Sequence, residues 1–211
     1  MTSVHKETLT RAGKSALLLC SVIAMAAQCS CTPVGTAIGA SARAGIALAE
    51  DRPINEVVSD AALKIAINTQ LLEASFQDLF WTVKTTVFEG RVLLTGRVTT
   101  NNLRDKTSEI VWGLGGVREV LNELEVSESK DVANSARDRI ITVSLRSKIL
   151  GDQQISGINY KISTYNHAIY LIGVAQSRNE MDRVVAHARE VRYVRKLVNY
   201  VLLSKDPRRA Q

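Results

Sequence analysis

The sequence predicts an α+β protein made of two tandem copies of one unit, each running helix, strand, strand, helix, strand. Three observations point there. Val92-Leu93-Leu94-Thr95-Gly96-Arg97-Val98 follows a tight turn at Phe88-Glu89-Gly90-Arg91 and a β-rich run from Val83 to Phe88, and together they read as a hairpin. The run Ala168 to Val174, after Tyr165-Asn166-His167 and a leading strand from Tyr160 to Thr164, repeats it with Gly173 in the place of Gly96. A closing strand, Val117 to Leu124, recurs as Val194 to Val201, so that Asn122 answers Asn199. Asn is disfavoured inside strands, so its appearance twice in register points to duplication rather than to composition.

The chain begins with an address. Met1 to Lys14 carries His5, Lys6, Arg11 and Lys14 against one Glu7, and Ser15 to Ala27 is continuously apolar or small. That run is too short to span a bilayer comfortably and fits the apolar region of a signal peptide, predicted over residues 1–30. All three cysteines, Cys20, Cys29 and Cys31, fall in this region, so the body has no disulfide, cysteine zinc site or thiol nucleophile. The start is similar to that of bacterial lipoproteins, in which a cysteine behind the apolar run is acylated. Cys31, preceded by Ser30, is the expected acceptor and Cys29 the alternative. Ordinary cleavage after Ala24-Met25-Ala26 would instead release a soluble periplasmic protein. Residues 31–54, rich in Gly and Ala up to Ala49 and closed by Pro53, read as a tether.

The first helix of each copy follows from spacing. Val58 to Ala74 places Leu63, Ile67 and Leu71 on one face, with Asp60 as a cap or first-turn anion. Arg137 to Leu150 repeats it with Asp138, Ile141, Leu145 and Ile149, one residue having been lost between helix and hairpin. The second helices are predicted over Asn101 to Leu114, from an Asn cap, and over Arg178 to Val191. The last strand should lie parallel to a hairpin strand, giving a three-stranded mixed sheet with both helices on one face. The domains are set at 55–127 and 133–203, followed by a disordered basic tail at 204–211. Each unit has a marginal core by itself, so the two are expected to pack together.

Charge is distributed unevenly between the copies. Residues 55–127 hold seven Lys and Arg against ten Asp and Glu, whereas residues 132–211 hold fourteen against six. A cationic second half suits a polyanionic partner: nucleic acid, an anionic membrane surface or an acidic protein. A solvated basic face is the plain alternative. Aromatic residues make up only 5% of the chain, which argues against a base-stacking surface.

The order helix, hairpin ending in V-x-L-x-G, second helix, then Gly116-Val117 with Val120 and Asn122, resembles the BON domain. Copy two keeps Val194, Leu197 and Asn199 but has Tyr193 in the place of Gly116, so a turn of different shape is expected there. With the leader and tether, the chain resembles dual-BON-domain outer-membrane lipoproteins. That resemblance implies a non-enzymatic protein, lipid-anchored to the outer membrane and facing the periplasm. The absence of Asp after Cys31, where Thr32 stands, implies outer- rather than inner-membrane sorting. The resemblance also implies binding of anionic phospholipid through the first helix of the second domain and a role in outer-membrane integrity. Outer-membrane assembly proteins are candidate partners.

The residues themselves support no chemistry. His167 sits in a turn and His187 in a helix, neither with a ligand at metal spacing, and His187 aligns with the apolar Ile110. No phosphate loop, nucleophile elbow or zinc-protease motif occurs. No metal, cofactor, catalytic residue, small-molecule substrate or nucleic-acid partner is therefore expected. Gly96 and Gly173 read as places where a helix backbone crosses closely or the strand bends. The expected lipid-binding set is Arg139, Ile140, Val143, Arg146, Ser147 and Lys148, where guanidinium groups would meet phosphate and aliphatic side chains the acyl boundary. Arg178, Arg183, Arg189 and Arg192 would extend the basic surface. The rival reading is a stress-response or chaperone-like protein that contacts envelope proteins through exposed hairpin edges.

Overall fold

The computed structural model describes residues 54–74, 79–128 and 132–209. The leader, Cys29, Cys31 and the tether up to residue 53 lie outside them. Copy one comprises α1 (Ile54–Ala74), β1 (Val83–Phe88), β2 (Arg91–Val98), α2 (Asn101–Trp112) and β3 (Glu119–Val126). Copy two comprises α3 (Val132–Gly151), β4 (Tyr160–Tyr165), β5 (Ala168–Ala175), α4 (Arg178–Arg189) and β6 (Lys196–Leu203). The sheets have orders β1-β2-β3 and β4-β5-β6, with an antiparallel hairpin and a parallel closing strand in each. This is the α+β arrangement that the repeated pattern predicts.

The core has three layers of origin. Leu63, Ile67 and Leu71 of α1 pack on Val92, Leu94 and Val98 of β2, and Ile141, Leu145 and Ile149 of α3 pack on Ile169 and Leu171 of β5. A third cluster joins the backs of the two sheets: Phe88 and Leu93 from copy one meet Ala168, Tyr170, Ile172 and Val174 from copy two. Helices therefore cover the outer face of each sheet and the other sheet covers its inner face. Both central strands are buried along their whole length for that reason. Each large side chain so removed from water stabilises by roughly 2 kcal/mol, and this offsets the thin core of each copy.

Polar contacts lock the seam. Thr95 Oγ1 and Ser163 Oγ are 2.8 Å apart, and Arg91 Nη1 donates to the Tyr200 carbonyl at 2.8 Å. Lys196 pairs with Glu123, and the Tyr200 hydroxyl also bonds that carboxylate. Part of the charge asymmetry is thus internal complementarity. Nor does the C-terminal segment hang free as a disordered tail: Pro207–Arg209 forms a short 3-10 turn, Arg209 pairs with Glu89, and Arg118 donates to the Arg208 and Arg209 carbonyls.

The repeated residues have specific tasks that differ from the expected ones. Asp60 and Asp138 lie inside their helices rather than capping them. Asp60 accepts the Glu89 and Gly90 N–H groups at 2.8 and 2.9 Å, and Asp138 accepts those of Asn166 and His167 at 2.8 Å. All four turn residues have positive φ, between 48° and 70°, so each carboxylate holds a left-handed two-residue hairpin turn. Helix α2 is capped by Thr100, whose Oγ1 accepts the Leu103 N–H, rather than by Asn101; Ser177 does the same for α4. Gly96 (φ 120°) and Gly173 (φ 153°) admit no side chain. A Cβ there would lie 2.1 Å from the carbonyl oxygen of Thr82 or Asn159, on the segment leading into the neighbouring strand rather than on a helix. Tyr193 does not change the turn it occupies. Its φ of 72° matches the left-handed geometry of Gly116 at 91°.

Candidate functional site

The site begins with how α3 is fixed. Its buried face, Ile141, Leu145 and Ile149, seats it on the sheet. Near its start, Asp138 grips the hairpin turn, and Thr142 Oγ1 donates to the Asp138 carbonyl and meets Thr164 Oγ1 at 2.8 Å. Just beyond its end, the Asp152 carboxylate bonds His187 Nε2 at 2.8 Å and Arg183 Nη2 at 2.7 Å, both from α4. Hydrogen bonds from His187 and Arg183 hold the Asp152 carboxyl down at about 2. Helix α3 is therefore clasped at both ends, and its outer face is presented on a rigid support.

That outer face carries an apolar stripe. Ile140, Val143 and Leu150 are 54%, 67% and 68% exposed, and Ser147 lies between them. At 100° per residue these four cluster opposite the buried face. Arg139 and Arg146 run along one edge, both exposed, and neither side chain has an ion pair among the described residues. The edge of Arg146 looks toward copy one. Lys84 of β1 is held below the usual lysine range by burial and then by the nearby charges of Lys64 and Arg146, with Asp138 opposing. Lys64 and Arg146, one from each copy, thus both lie close enough to Lys84 for their charges to act on it.

Of the expected set, Arg139, Ile140, Val143, Arg146 and Ser147 share this surface. Lys148 does not, since it lies on the other edge of α3 and pairs with Glu190, the residue that caps α4, at 2.9 Å. Arg183 is likewise engaged, by Asp152. Leu150 was missed, although its place seven residues after Val143 marks the same stripe. Lys64 and Lys84 come from the other copy, where no local spacing connects them to α3. His187 is not a packed equivalent of Ile110 but part of the Asp152 clasp. Among the described residues no group of His, Cys, Asp and Glu is placed to hold a metal ion, and no helix is long and apolar enough to cross a membrane.

Two α-β-β-α-β units joined through their sheets define a duplicated α+β domain protein. The chain belongs to the BON domain family, whose pattern matches residues 59–128 and 137–204. It is 33% identical, over 69% of this chain and 95% of the relative, to an uncharacterized protein from the gshII 5' region of Anaplasma centrale. It is 27% identical to the outer membrane lipoprotein DolP of Haemophilus influenzae, over 80% of this chain and 88% of that one. To the osmotically-inducible protein Y of Escherichia coli it is 26% identical, over 51% of this chain and 55% of that one.

Proposed function

We propose that this protein is a lipid-anchored module of the outer membrane, facing the periplasm, that binds anionic phospholipid through α3 and supports outer-membrane integrity without chemistry of its own. The observation that carries this reading is the exposed stripe of Ile140, Val143 and Leu150 flanked by Arg139 and Arg146, which have no ion pair among the described residues. Aliphatic side chains at that height would enter the acyl boundary while the guanidinium groups meet phosphate. Each cation near an anionic surface contributes about 1 kcal/mol at low salt, and Lys84 lies within reach of the charges of both Lys64 and Arg146. Relatives named for an outer membrane lipoprotein and for osmotic induction support an envelope role. Acylation at Cys31, with Cys29 as the alternative, would supply the anchor. Mass spectrometry of the mature N-terminus separates that form from a soluble periplasmic one.

The test is co-sedimentation of the full-length protein with vesicles of anionic or zwitterionic phospholipid. Anionic vesicles should bind at least about tenfold more tightly, and Arg139→Glu with Arg146→Glu should remove most of that preference. Equal binding to both vesicle types, or no effect of the double variant, would overturn the reading.

A further inference from the structure

The second helix and closing strand of copy two line a groove of about 700 Å³, and the side-chain bonds that tie these two elements together in copy one are not made there. In copy one, Asn122 Nδ2 of β3 donates across to Ser108 Oγ at 2.6 Å and to the Arg104 carbonyl at 3.1 Å, tying α2 to the strand. Val185 stands where Ser108 would be, and it offers no acceptor. The Asn199 carboxamide keeps only its local role, accepting the Val201 N–H at 3.1 Å, as Asn122 accepts the Leu124 N–H. The trough along β6 is therefore not bridged by the Asn bond that ties α2 to β3 in copy one.

Its lining also differs in charge from the corresponding positions of copy one. The floor is apolar: Met181, Val185, Val194 and Leu197. The rim holds Arg178, Arg189 and Arg195 against one carboxylate, Asp182, while the Lys196 ammonium is already paired with Glu123 of copy one. The corresponding positions in copy one hold Arg104 and Arg118 against Asp105, Glu109 and Glu119. Arg189 and Arg195 have no ion pair among the described residues, and the Arg178–Asp182 pair is long, at 3.4 Å, and exposed. Among the described residues, strand β6 has β5 on one side and no strand on the other.

We infer that this groove receives an extended acidic segment of a partner protein, laid alongside β6 beneath α4. A trough between a helix and a free sheet edge is the geometry of strand addition, in which main-chain hydrogen bonds supply affinity and alternate side chains enter the groove. Such a segment places every second side chain on the apolar floor and the intervening ones toward solvent. Carboxylates on the solvent side meet Arg178, Arg189 and Arg195. A phospholipid would leave the outer edge of β6 without a strand partner, whereas an extended segment would occupy it. The groove is formed by α4 and β6, apart from the lipid-facing stripe of α3, so the two surfaces are tested independently.

The experiment uses isotope-labelled full-length protein in detergent and a soluble octapeptide of alternating Val and Glu, with a Val and Lys octapeptide as control. The acidic peptide should bind with a Kd on the order of 100 µM and shift the amide signals of β6 and α4, but not those of β3 and α2. Arg189→Glu with Arg195→Glu should weaken it at least about tenfold. Val185→Ser, which keeps the charge but restores an acceptor for Asn199, should weaken it severalfold while anionic vesicle binding stays unchanged. Equal binding of both peptides, shifts centred on β3, or binding insensitive to both variants would overturn the inference. So would a loss of vesicle binding in the Arg189 and Arg195 variant with no peptide binding by the parent protein, which would assign the groove to lipid.

Discussion

The two copies share a scaffold and differ in what they expose. Both clamp a left-handed hairpin turn with an aspartate from the first helix, both seat a glycine against a carbonyl, and both place an Asn on the closing strand. Both also expose aliphatic side chains on the first helix: Ile65 and Leu72 in α1 answer Val143 and Leu150 in α3. What separates them is the charge beside that stripe. Ala61 and Asn68 of copy one correspond to Arg139 and Arg146 of copy two. On the proposed reading, the cations fixed beside the apolar stripe are what would distinguish a headgroup site from mere apolar exposure. The helix–strand pair differs in the same sense: bridged by Asn122 and bordered by more carboxylates than cations in copy one, unbridged and basic in copy two.

If the scaffold is truly shared, breaking it should cost the same in either copy. Gly96→Ala and Gly173→Ala each force a Cβ to 2.1 Å from a carbonyl oxygen at positive φ. Each is expected to destabilise by at least about 3 kcal/mol, measured by urea unfolding. A large loss in only one copy would mean that the other strand can rearrange.

Smaller changes should act where the copies differ. Tyr193 holds a left-handed φ that Gly116 adopts without strain, while Arg192 covers its ring at 4.7 Å. Tyr193→Gly is expected to stabilise by about 0.5 kcal/mol, relief of strain outweighing the added freedom of the unfolded chain; the reverse change, Gly116→Tyr, should destabilise. The Asp152 clasp has no counterpart, since Lys106 and Ile110 stand in copy one where Arg183 and His187 stand in copy two. Its carboxyl is lowered from 3.8 to about 2. The bonds it makes as an anion therefore stabilise the fold above the ordinary carboxylate range and are lost as pH falls toward about 2. Denaturation across that window should show the advantage of the parent protein over Asp152→Asn narrowing as pH drops.

Much of the fold was legible because burial leaves a period. The spacing of Leu63, Ile67 and Leu71, the hairpin glycines and the repeated Asn were enough to set element order, strand pairing and the helix-covered face. The packing of the sheets back to back was expected only in outline. Its residues, such as Phe88, Leu93 and Tyr170, alternate with the helix-facing ones and look like any buried strand. Polar partners distant in sequence were not legible at all. Read locally, Lys148 belongs to a basic face, but its partner Glu190 lies 42 residues away in the sequence. Asp152 gave no local sign of its bonds to α4. At the candidate site, the stripe and its arginines could be read from α3 alone, whereas Lys64 and Lys84 enter only through the seam between the copies.

The most direct test of the difference between the copies is to exchange the arginines and measure vesicle binding of the full-length protein. Arg139→Ala with Arg146→Asn should lower affinity for anionic vesicles at least about tenfold. Adding Ala61→Arg and Asn68→Arg to that variant should recover a substantial part of it, because α1 already exposes Ile65 and Leu72. Unchanged binding after the arginines are removed from α3 would contradict a lipid-docking role for that helix.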